Sequence, residues 1–332
     1  MNKKIIFLIT IVSILALVAM GCASNASKDS NTISIGYFPN ITHAPAMIGL
    51  EKGFFAEELE GYEIQTHTFS GGSLFMDAMA TGQIDIGYVG PGPALNRFVQ
   101  GAKVTILAGT SDGGVMIVAN PDSGIATLED LSNKVVATHS LGCTHDLILR
   151  QALAPLGMNM QQAGGTVVHR SQNPSAVRGL FAQNQIDASS IPEPWGTMLE
   201  AEGAVVVKDW DELPFNGRTP ATVIVTSQKF IEQNPEAVEQ FLKAHVRSIE
   251  YIETNTQDSL EAINKVINDI TQQDIDVDIL ARSLERSPMT YEINMESMDA
   301  MAVISEESGV TTSSNISGLI DLSILERVLA NR

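Results

Sequence analysis

Cysteine is scarce in this sequence, which holds only Cys22 and Cys143 among its 332 residues. Cys22 directly follows an apolar N-terminal run, and if it is modified there, Cys143 has no partner. No internal disulfide can then form, so a disulfide framework is excluded. The folded chain must therefore be stabilised by its core without such crosslinks.

Basic residues are also few. The chain has 20 Lys and Arg residues against 39 Asp and Glu residues, a formal net charge of -19. Nucleic acids and anionic membrane surfaces both attract clustered Lys and Arg, so we expect no nucleic-acid partner. A single buried anion remains compatible with this charge, because backbone N–H groups can hold it whatever the net charge.

Motifs of several chemistries are missing. The sequence contains no H-E-x-x-H, no zinc-type Cys/His spacing, no Walker loop and no complete G-x-G-x-x-G, so we expect no cofactor and no nucleotide. His43 and His145 could meet in a cleft, but two histidines alone do not predict a metal site. We therefore expect no metal.

One segment formally matches a nucleophile elbow. "GTSDG", residues 109–113, fits G-x-S-x-G. That elbow requires a helix after the serine, whereas the following "GVMIVAN" is typical of a strand. We expect Ser111 to line a hinge or a ligand, and no enzyme activity. An enzyme that uses His43 or Ser111 is the alternative from another class.

A long hydrophobic run occurs only at the N-terminus. "MNKK" precedes "IIFLITIVSILALVAMGC", which has the charged start, apolar run and small-residue exit of a secretory signal. We predict a lipoprotein signal peptide at residues 1–21, lipidation of Cys22, and a flexible tether over residues 22–31. A membrane-spanning helix is the alternative. The predicted location is extracytoplasmic, with the lipid as the only membrane anchor.

From Ile33 the pattern alternates between strand-like and helical segments, which indicates an α/β fold with parallel strands. "PAMIGLEKGFFAEEL" predicts a helix with a glycine break, and "NPEAVEQFLKAHVRSIEYIE" a capped amphipathic helix. About 300 residues suffice for two lobes. We predict lobe I over residues 32–117 and 218–332, the latter with C-terminal helices, and lobe II over residues 118–217.

Two distant stretches echo each other. "GQIDIGYVGPGPA" begins at Gly82, and "NQIDASSIPEPW" begins at Asn184. Each has Gln-Ile-Asp before a short strand and a proline-framed loop. We interpret them as corresponding loops of two similar lobes, one on each side of a cleft.

Four loops follow strands and open helices: "SGGS" (70–73), "GPGPA" (90–94), "SLGCTHD" (140–146) and "PEPW" (192–195). Ligands of parallel α/β sheets bind at the carboxyl ends of the strands, where helix starts present unpaired N–H groups. Several such starts aimed at one point would hold an anion. The alternative is that Gly-Pro loops merely turn the chain.

Glu193 and Trp195 qualify that prediction. A carboxylate beside an anion site costs energy unless it is paired, and Trp195 offers a flat apolar wall. Either Glu193 meets the ammonium group of a zwitterionic ligand, or it caps a helix or crosslinks the lobes away from the ligand.

Several motifs taken in order resemble a known family. "IGYFPNITHAPAMIGLEKGFF", "GQIDIGYVGPGPALN", "LGCTHDLILRQAL" and "IDASSIPEPWGTMLEAEG" are similar to the solute-binding proteins of ABC importers for sulfonates, taurine and nitrate, over residues 33–246. The resemblance implies a two-lobed, type II periplasmic-binding-protein-like fold with the ligand cleft between the lobes. The two crossover strands would fall near residues 113–120 and 215–225.

The resemblance also implies a function. It implies a receptor that closes on a small anionic solute and delivers it to permease and ATPase subunits. Nothing in the sequence points beyond a monomer. Where that family usually has "LGNTQD", this chain has "LGCTHD", so its solute could differ; nitrate, a thiamine-precursor pyrimidine or another heterocycle are the alternatives. The implied ligand residues are Asn40, His43, Ser70, Gly71, Gly72, Ser73, Gly90, Pro91 and Gly92 on the first lobe, Ser111 near the hinge, and Thr144, Glu193 and Trp195 on the second.

Overall fold

Two five-stranded mixed sheets organise the protein in the computed structural model, which describes residues 31–332. The predicted signal peptide, Cys22 and nearly all of the predicted tether lie outside the described residues. Residues 33–332 form one unit. No helix within the described range is both long enough and apolar enough to cross a membrane.

The strands alternate with helices as the sequence pattern predicts. The strands are β1 (Thr32–Tyr37), β2 (Glu63–Thr68), β3 (Ile86–Val89), β4 (Val104–Asp112), β5 (Val115–Ala119), β6 (Val135–Thr138), β7 (Val168–Ser171), β8 (Ala188–Pro192), β9 (Val205–Lys208) and β10 (Pro220–Ser227). The first helices are α1 (Ala44–Glu51), α2 (Phe54–Glu58), α3 (Gly72–Ala80), α4 (Pro91–Val99), α5 (Thr144–Leu153), α6 (Val177–Ala182) and α7 (Trp195–Ala201). The later helices are α8 (Gln228–Gln233), α9 (Pro235–Thr254), α10 (Thr256–Thr271), α11 (Val277–Glu285), α12 (Met295–Glu307) and α13 (Ser323–Ala330).

The two sheets share one plan. The first has the order β2-β1-β3-β10-β4 and the second the order β7-β6-β8-β5-β9. In each, two neighbouring strands that precede helices run parallel, β1 with β3 and β6 with β8. In each, the next strand along the sheet is antiparallel, β10 beside β3 and β5 beside β8. The chain passes from β4 of the first sheet directly into β5 of the second, and from β9 back into β10.

The echo in the sequence has a structural counterpart. Asp85, before β3, accepts a hydrogen bond from the backbone N–H of Ser34 at 2.8 Å. Asp187, before β8, accepts one from the backbone N–H of Val135 at 2.7 Å. The same residue type thus bonds to the neighbouring parallel strand in both sheets, and the loops after β3 and β8 occupy equivalent positions.

Hydrophobic burial holds helices against the sheets. The helix α9 is buried along the stripe that its sequence predicts, at Val238, Phe241, Leu242, Val246 and Ile249. His245 on the same helix is fully buried and uses both ring nitrogens, with Nδ1 3.1 Å from the Tyr88 hydroxyl and Nε2 2.9 Å from the Gly109 carbonyl oxygen. Because a carbonyl can only accept, Nε2 carries the hydrogen, and His245 is a satisfied core residue.

Candidate functional site

Three of the four predicted helix-opening loops meet between the sheets. A Cβ atom built on Gly72 at the start of α3 would lie 2.3 Å from Cγ of Pro93 in α4. A Cβ atom on Gly92 in α4 would lie 2.8 Å from the backbone nitrogen of Thr144 at the start of α5. The helix α4 follows a strand of the first sheet, and α5 follows a strand of the second. We call each sheet with its helices a half of the protein. Gly92 therefore lets the two halves approach through their backbones.

The start of α4 has few donors left for a guest. Its first and third residues, Pro91 and Pro93, have no N–H group. The Gly92 N–H donates to Oγ1 of Thr144 at 3.2 Å, and a Cβ atom on Gly90 would lie 2.3 Å from the same Oγ1. The α4 start therefore serves contact between the halves, and the partial positive charge available to a guest is that of α3 and α5.

A histidine cluster, defined as His43, His139 and His145, lies between the same elements. His43 ends a short 3-10 helix (Ile41–His43) after β1, His139 follows β6, and His145 lies in the first turn of α5. The Phe38 ring centroid is 5.1 Å from that of His43 and 6.5 Å from that of His139. His139 Nε2 donates to the Ser70 carbonyl oxygen, so one imidazole links the two halves.

Burial keeps these imidazoles neutral. It lowers the pKa of His43 to about 3, with the nearby His145 as the second cause. It likewise lowers the pKa of His145 to about 3, with His139 as the second cause. Burial also lowers the pKa of His139, against the opposing hydrogen bond to Ser70. His43 Nδ1 is buried without a hydrogen-bond partner, so this atom can bond to a ligand that reaches it.

Glu193 follows the second of its two predicted alternatives in this structure. Its fully buried carboxylate accepts from the Thr197 backbone N–H at 2.9 Å, the Thr197 hydroxyl at 2.8 Å and the Ser283 hydroxyl at 3.2 Å. Arg286 lies 3.6 Å away. Burial raises the pKa of Glu193, and these partners oppose that rise. The carboxylate thus caps α7, while the Glu193 carbonyl oxygen accepts from the Ile41 N–H at 3.2 Å.

Three other predicted ligand residues have structural partners. Trp195 packs in a hydrophobic cluster with Met116 and Phe181 of the second half. The Asn40 side chain accepts from the backbone N–H and the hydroxyl of Thr42. The Ser111 hydroxyl, fully buried, donates to the Thr42 carbonyl oxygen at 3.0 Å. Asn40 and Ser111 therefore hold the turn that carries His43.

We call the region between the two halves, where the starts of α3, α4 and α5 meet, the gap. The remaining predicted residues lie at the gap or beside it. Ser70 contributes its carbonyl, and a Cβ atom on Gly71 would be 4.0 Å from His139 Nε2. Ser73 instead lines a neighbouring pocket of about 330 Å³, together with Pro93, Asn96, Arg97, Gln100, residues 140–143, Gly309 and Val310. Both halves contribute to that pocket.

Sequence reasoning missed Phe38 and His139. Each directly follows a parallel strand, β1 or β6, which is where ligand residues of such sheets are expected. Their position directly after a strand was the sequence feature that could have identified them. In residues 31–332 no group of three His, Cys, Asp or Glu residues is arranged to hold a metal ion.

The neutral histidines predict acid sensitivity. In the unfolded chain His43, His145 and the core residue His245 take up protons near the ordinary pKa of 6.5, whereas in the folded chain they do so at about 3. Below pH 6.5 the unfolded state binds more protons, so the free energy of unfolding falls as the pH falls from 6.5 towards 3. We expect a loss of about 1 kcal/mol per histidine between pH 7 and pH 5.5, measured by urea denaturation. An unchanged free energy of unfolding over that interval would contradict the neutral, buried state.

Comparisons with known proteins identify the family of the chain. Residues 26–268 match the NMT1-like family. A protein of Brucella abortus (strain 2308) that is named as a binding protein is 27% identical over 248 residues, 74% of each chain. The taurine-binding periplasmic protein of Escherichia coli (strain K12) is 26% identical over 202 residues, 61% of each chain.

A solved structure supports the fold. The alkanesulfonate-binding protein of Xanthomonas axonopodis pv. citri, bound to MOPS, has a TM-score of 0.74 at 18% identity and covers 89% of this chain and 99% of its own. The predicted α/β fold of the two-lobed periplasmic-binding-protein type is thereby confirmed, and so is the resemblance to this group of proteins.

Proposed function

This chain belongs to the NMT1-like family, and from that membership we propose that it is the solute-binding component of an ABC importer. The proposed solute is a small organic anion of the sulfonate or taurine class. The names of the E. coli and Xanthomonas proteins support that class, since they bind taurine and alkanesulfonates. The observation that carries the proposal is the backbone contact of Gly92 with Thr144 across the gap, beside a partly buried histidine cluster to which both halves contribute.

The proposed mechanism is closure about the strand crossings. Gly113 and Gly114, between β4 and β5, have φ values of 62° and 61°, a conformation that favours glycine. A solute that contacts both halves stabilises the closed state by the contacts that exist only there. His43 and the Ser70–Gly71 turn would contact it from the first half, and His139 and the α5 start from the second.

The partners and location follow from the same proposal. A permease with ATPase subunits would receive the solute, and the chain would act as an extracytoplasmic monomer. The N-terminal "MGC" pattern supports attachment of the mature chain to the cell membrane through lipid on Cys22. Catalysis forms no part of the proposal, and the Ser111 hydroxyl is engaged with a backbone carbonyl rather than with a base.

Native mass spectrometry of the purified mature chain tests this function. We expect a small anion to copurify, or taurine, methanesulfonate or nitrate to bind and raise the melting temperature by several degrees, because a ligand that binds only the folded state stabilises it. Absence of any bound small molecule, together with no stabilisation by the three anions, would overturn the proposal.

A further inference from the structure

The histidine cluster lies between elements of the two halves, and no cation in the described part of the chain acts on its rings. His145 acts on the pKa of His43, and His139 on that of His145. No lysine or arginine within residues 31–332 acts on the pKa of any of the three. The cluster therefore differs from an anion-binding site that carries a positive charge before the anion arrives, because its rings are uncharged when the gap is empty.

Two of the carboxylates on the adjoining elements are already engaged, whereas Asp112 at the end of β4 keeps a buried oxygen without a partner and has a pKa raised by burial to about 6. Glu193, whose carbonyl oxygen holds the turn before His43, has its carboxylate bonded to Thr197 and Ser283 and lies 3.6 Å from Arg286. On α5, Asp146 follows His145 and accepts from the Gly142 N–H at 2.8 Å and from Arg150 Nε at 2.9 Å. Arg150 is paired with Asp146, and Arg286 is shared among Glu193, Glu200 and Asp209, so neither arginine brings an uncompensated positive charge to the gap.

Helix ends alone leave an anion undercompensated. The start of α4 has two prolines and a glycine N–H that already donates to Thr144. The partial charges of α3 and α5 remain, each roughly half of an elementary charge and spread over the first turn. A full negative charge removed from water requires closer compensation than that.

We propose, building on the proposed function, that the site balances a bound anion by taking up one proton on the histidine cluster. His43 Nδ1 is the acceptor that the geometry favours, because it is buried and has no hydrogen-bond partner. Once protonated, it becomes a donor that can bond to the anion, and the neighbouring ring of His145 stays neutral. His139 is the competing acceptor, because its Nε2–H bond to the Ser70 carbonyl oxygen opposes the fall of its pKa and its other nitrogen, Nδ1, could take the proton.

Proton uptake makes affinity depend on pH in a stated direction. An anion beside His43 favours the imidazolium form and raises its pKa in the complex, whereas the empty site stays neutral. Lower pH therefore favours the complex. We expect the dissociation constant to fall roughly ten-fold from pH 7 to pH 5, and to be nearly constant above pH 8.

Isothermal titration of the mature chain with methanesulfonate and with nitrate tests this inference. Titrations at pH 5, 6, 7 and 8, in buffers of different ionisation enthalpy, give the number of protons taken up. We expect a value near one at pH 5 and near zero at pH 8. The variant His43→Gln should lose both the uptake and the pH dependence. The control His67→Gln, on the edge strand β2, should keep both.

The outcomes separate the inference from the function on which it rests. Binding without proton uptake at any pH overturns the inference and leaves the solute-binding function intact. Binding of neither anion overturns the inference, and the function falls with it only if taurine also fails to bind and no small molecule copurifies. If His43→Gln does not fold, the imidazole NMR signals of the unmodified chain decide, because the pKa of His43 must rise when nitrate or methanesulfonate is added.

Discussion

The variant Gly92→Ala will lose solute affinity by roughly 10- to 100-fold while both sheets stay folded. The new Cβ atom would lie 2.8 Å from the Thr144 nitrogen, 3.0 Å from the Cys143 carbonyl carbon and 3.0 Å from the Gly142 carbonyl oxygen. All three are backbone atoms, so no side chain can move aside. Forcing such contacts costs ~1–3 kcal/mol in packed protein, and here separation of the halves relieves them.

The variant Gly179→Ala provides the matched control. Gly179 is also a helical glycine, on α6, and a Cβ atom added there would have nothing within 4 Å. It should bind solute as the unmodified chain does. Titration of both variants with the copurifying solute measures the effect, and circular dichroism checks the fold. Equal affinities for the two variants would show that the Gly92 contact is not required for capture.

The glycine at position 90 extends the same test. A Cβ atom there would meet the Thr144 side chain, 2.3 Å from Oγ1, rather than backbone. A side chain can be shortened, so Thr144→Ala should restore part of the affinity lost in Gly90→Ala. It should restore none of the affinity lost in Gly92→Ala. Equal rescue of the two glycine variants would contradict the contacts described for the gap.

Local pattern was sufficient to predict much of the architecture. Alternating strand and helix signals predict the α/β class, and the glycine break in "PAMIGLEKGFFAEEL" corresponds to Gly53, whose φ of 77° separates α1 from α2. The two Gln-Ile-Asp echoes mark Asp85 and Asp187, which make equivalent bonds in the two sheets. These features depend on neighbours in sequence or on one adjacent strand.

The site was less predictable because its groups come from distant parts of the chain. The choice between the two roles of Glu193 depends on Ser283 and Arg286, about 90 residues later in the sequence, which no local pattern connects to it. His139 gains its role from Ser70, 69 residues earlier. The sequence also predicts that a helix start is electropositive. It does not show which neighbouring residue already accepts from the N–H groups of that helix start, as Thr144 does from Gly92.

The variant Arg286→Met will destabilise the protein by ~3–5 kcal/mol, because it leaves a buried charge without compensation. Arg286 is 5% exposed and donates to Glu200 at 2.6 Å, to the Thr197 hydroxyl at 2.7 Å and to Asp209 at 2.8 Å. It is also the cation beside the fully buried Glu193. The loss of Arg286 would loosen the loop after β8. The Glu193 carbonyl oxygen in that loop accepts a hydrogen bond from Ile41, in the turn before His43.

Urea denaturation of Arg286→Met beside Arg178→Met measures this effect. Arg178 pairs with Glu202, but their side chains are 67% and 40% exposed, so its removal should cost less than ~1 kcal/mol. The double variant Arg286→Met with Glu193→Gln should recover part of the loss, because the neutral amide removes the unpaired buried charge. A loss below ~1 kcal/mol in Arg286→Met, or no recovery in the double variant, would show that Arg286 does not compensate Glu193.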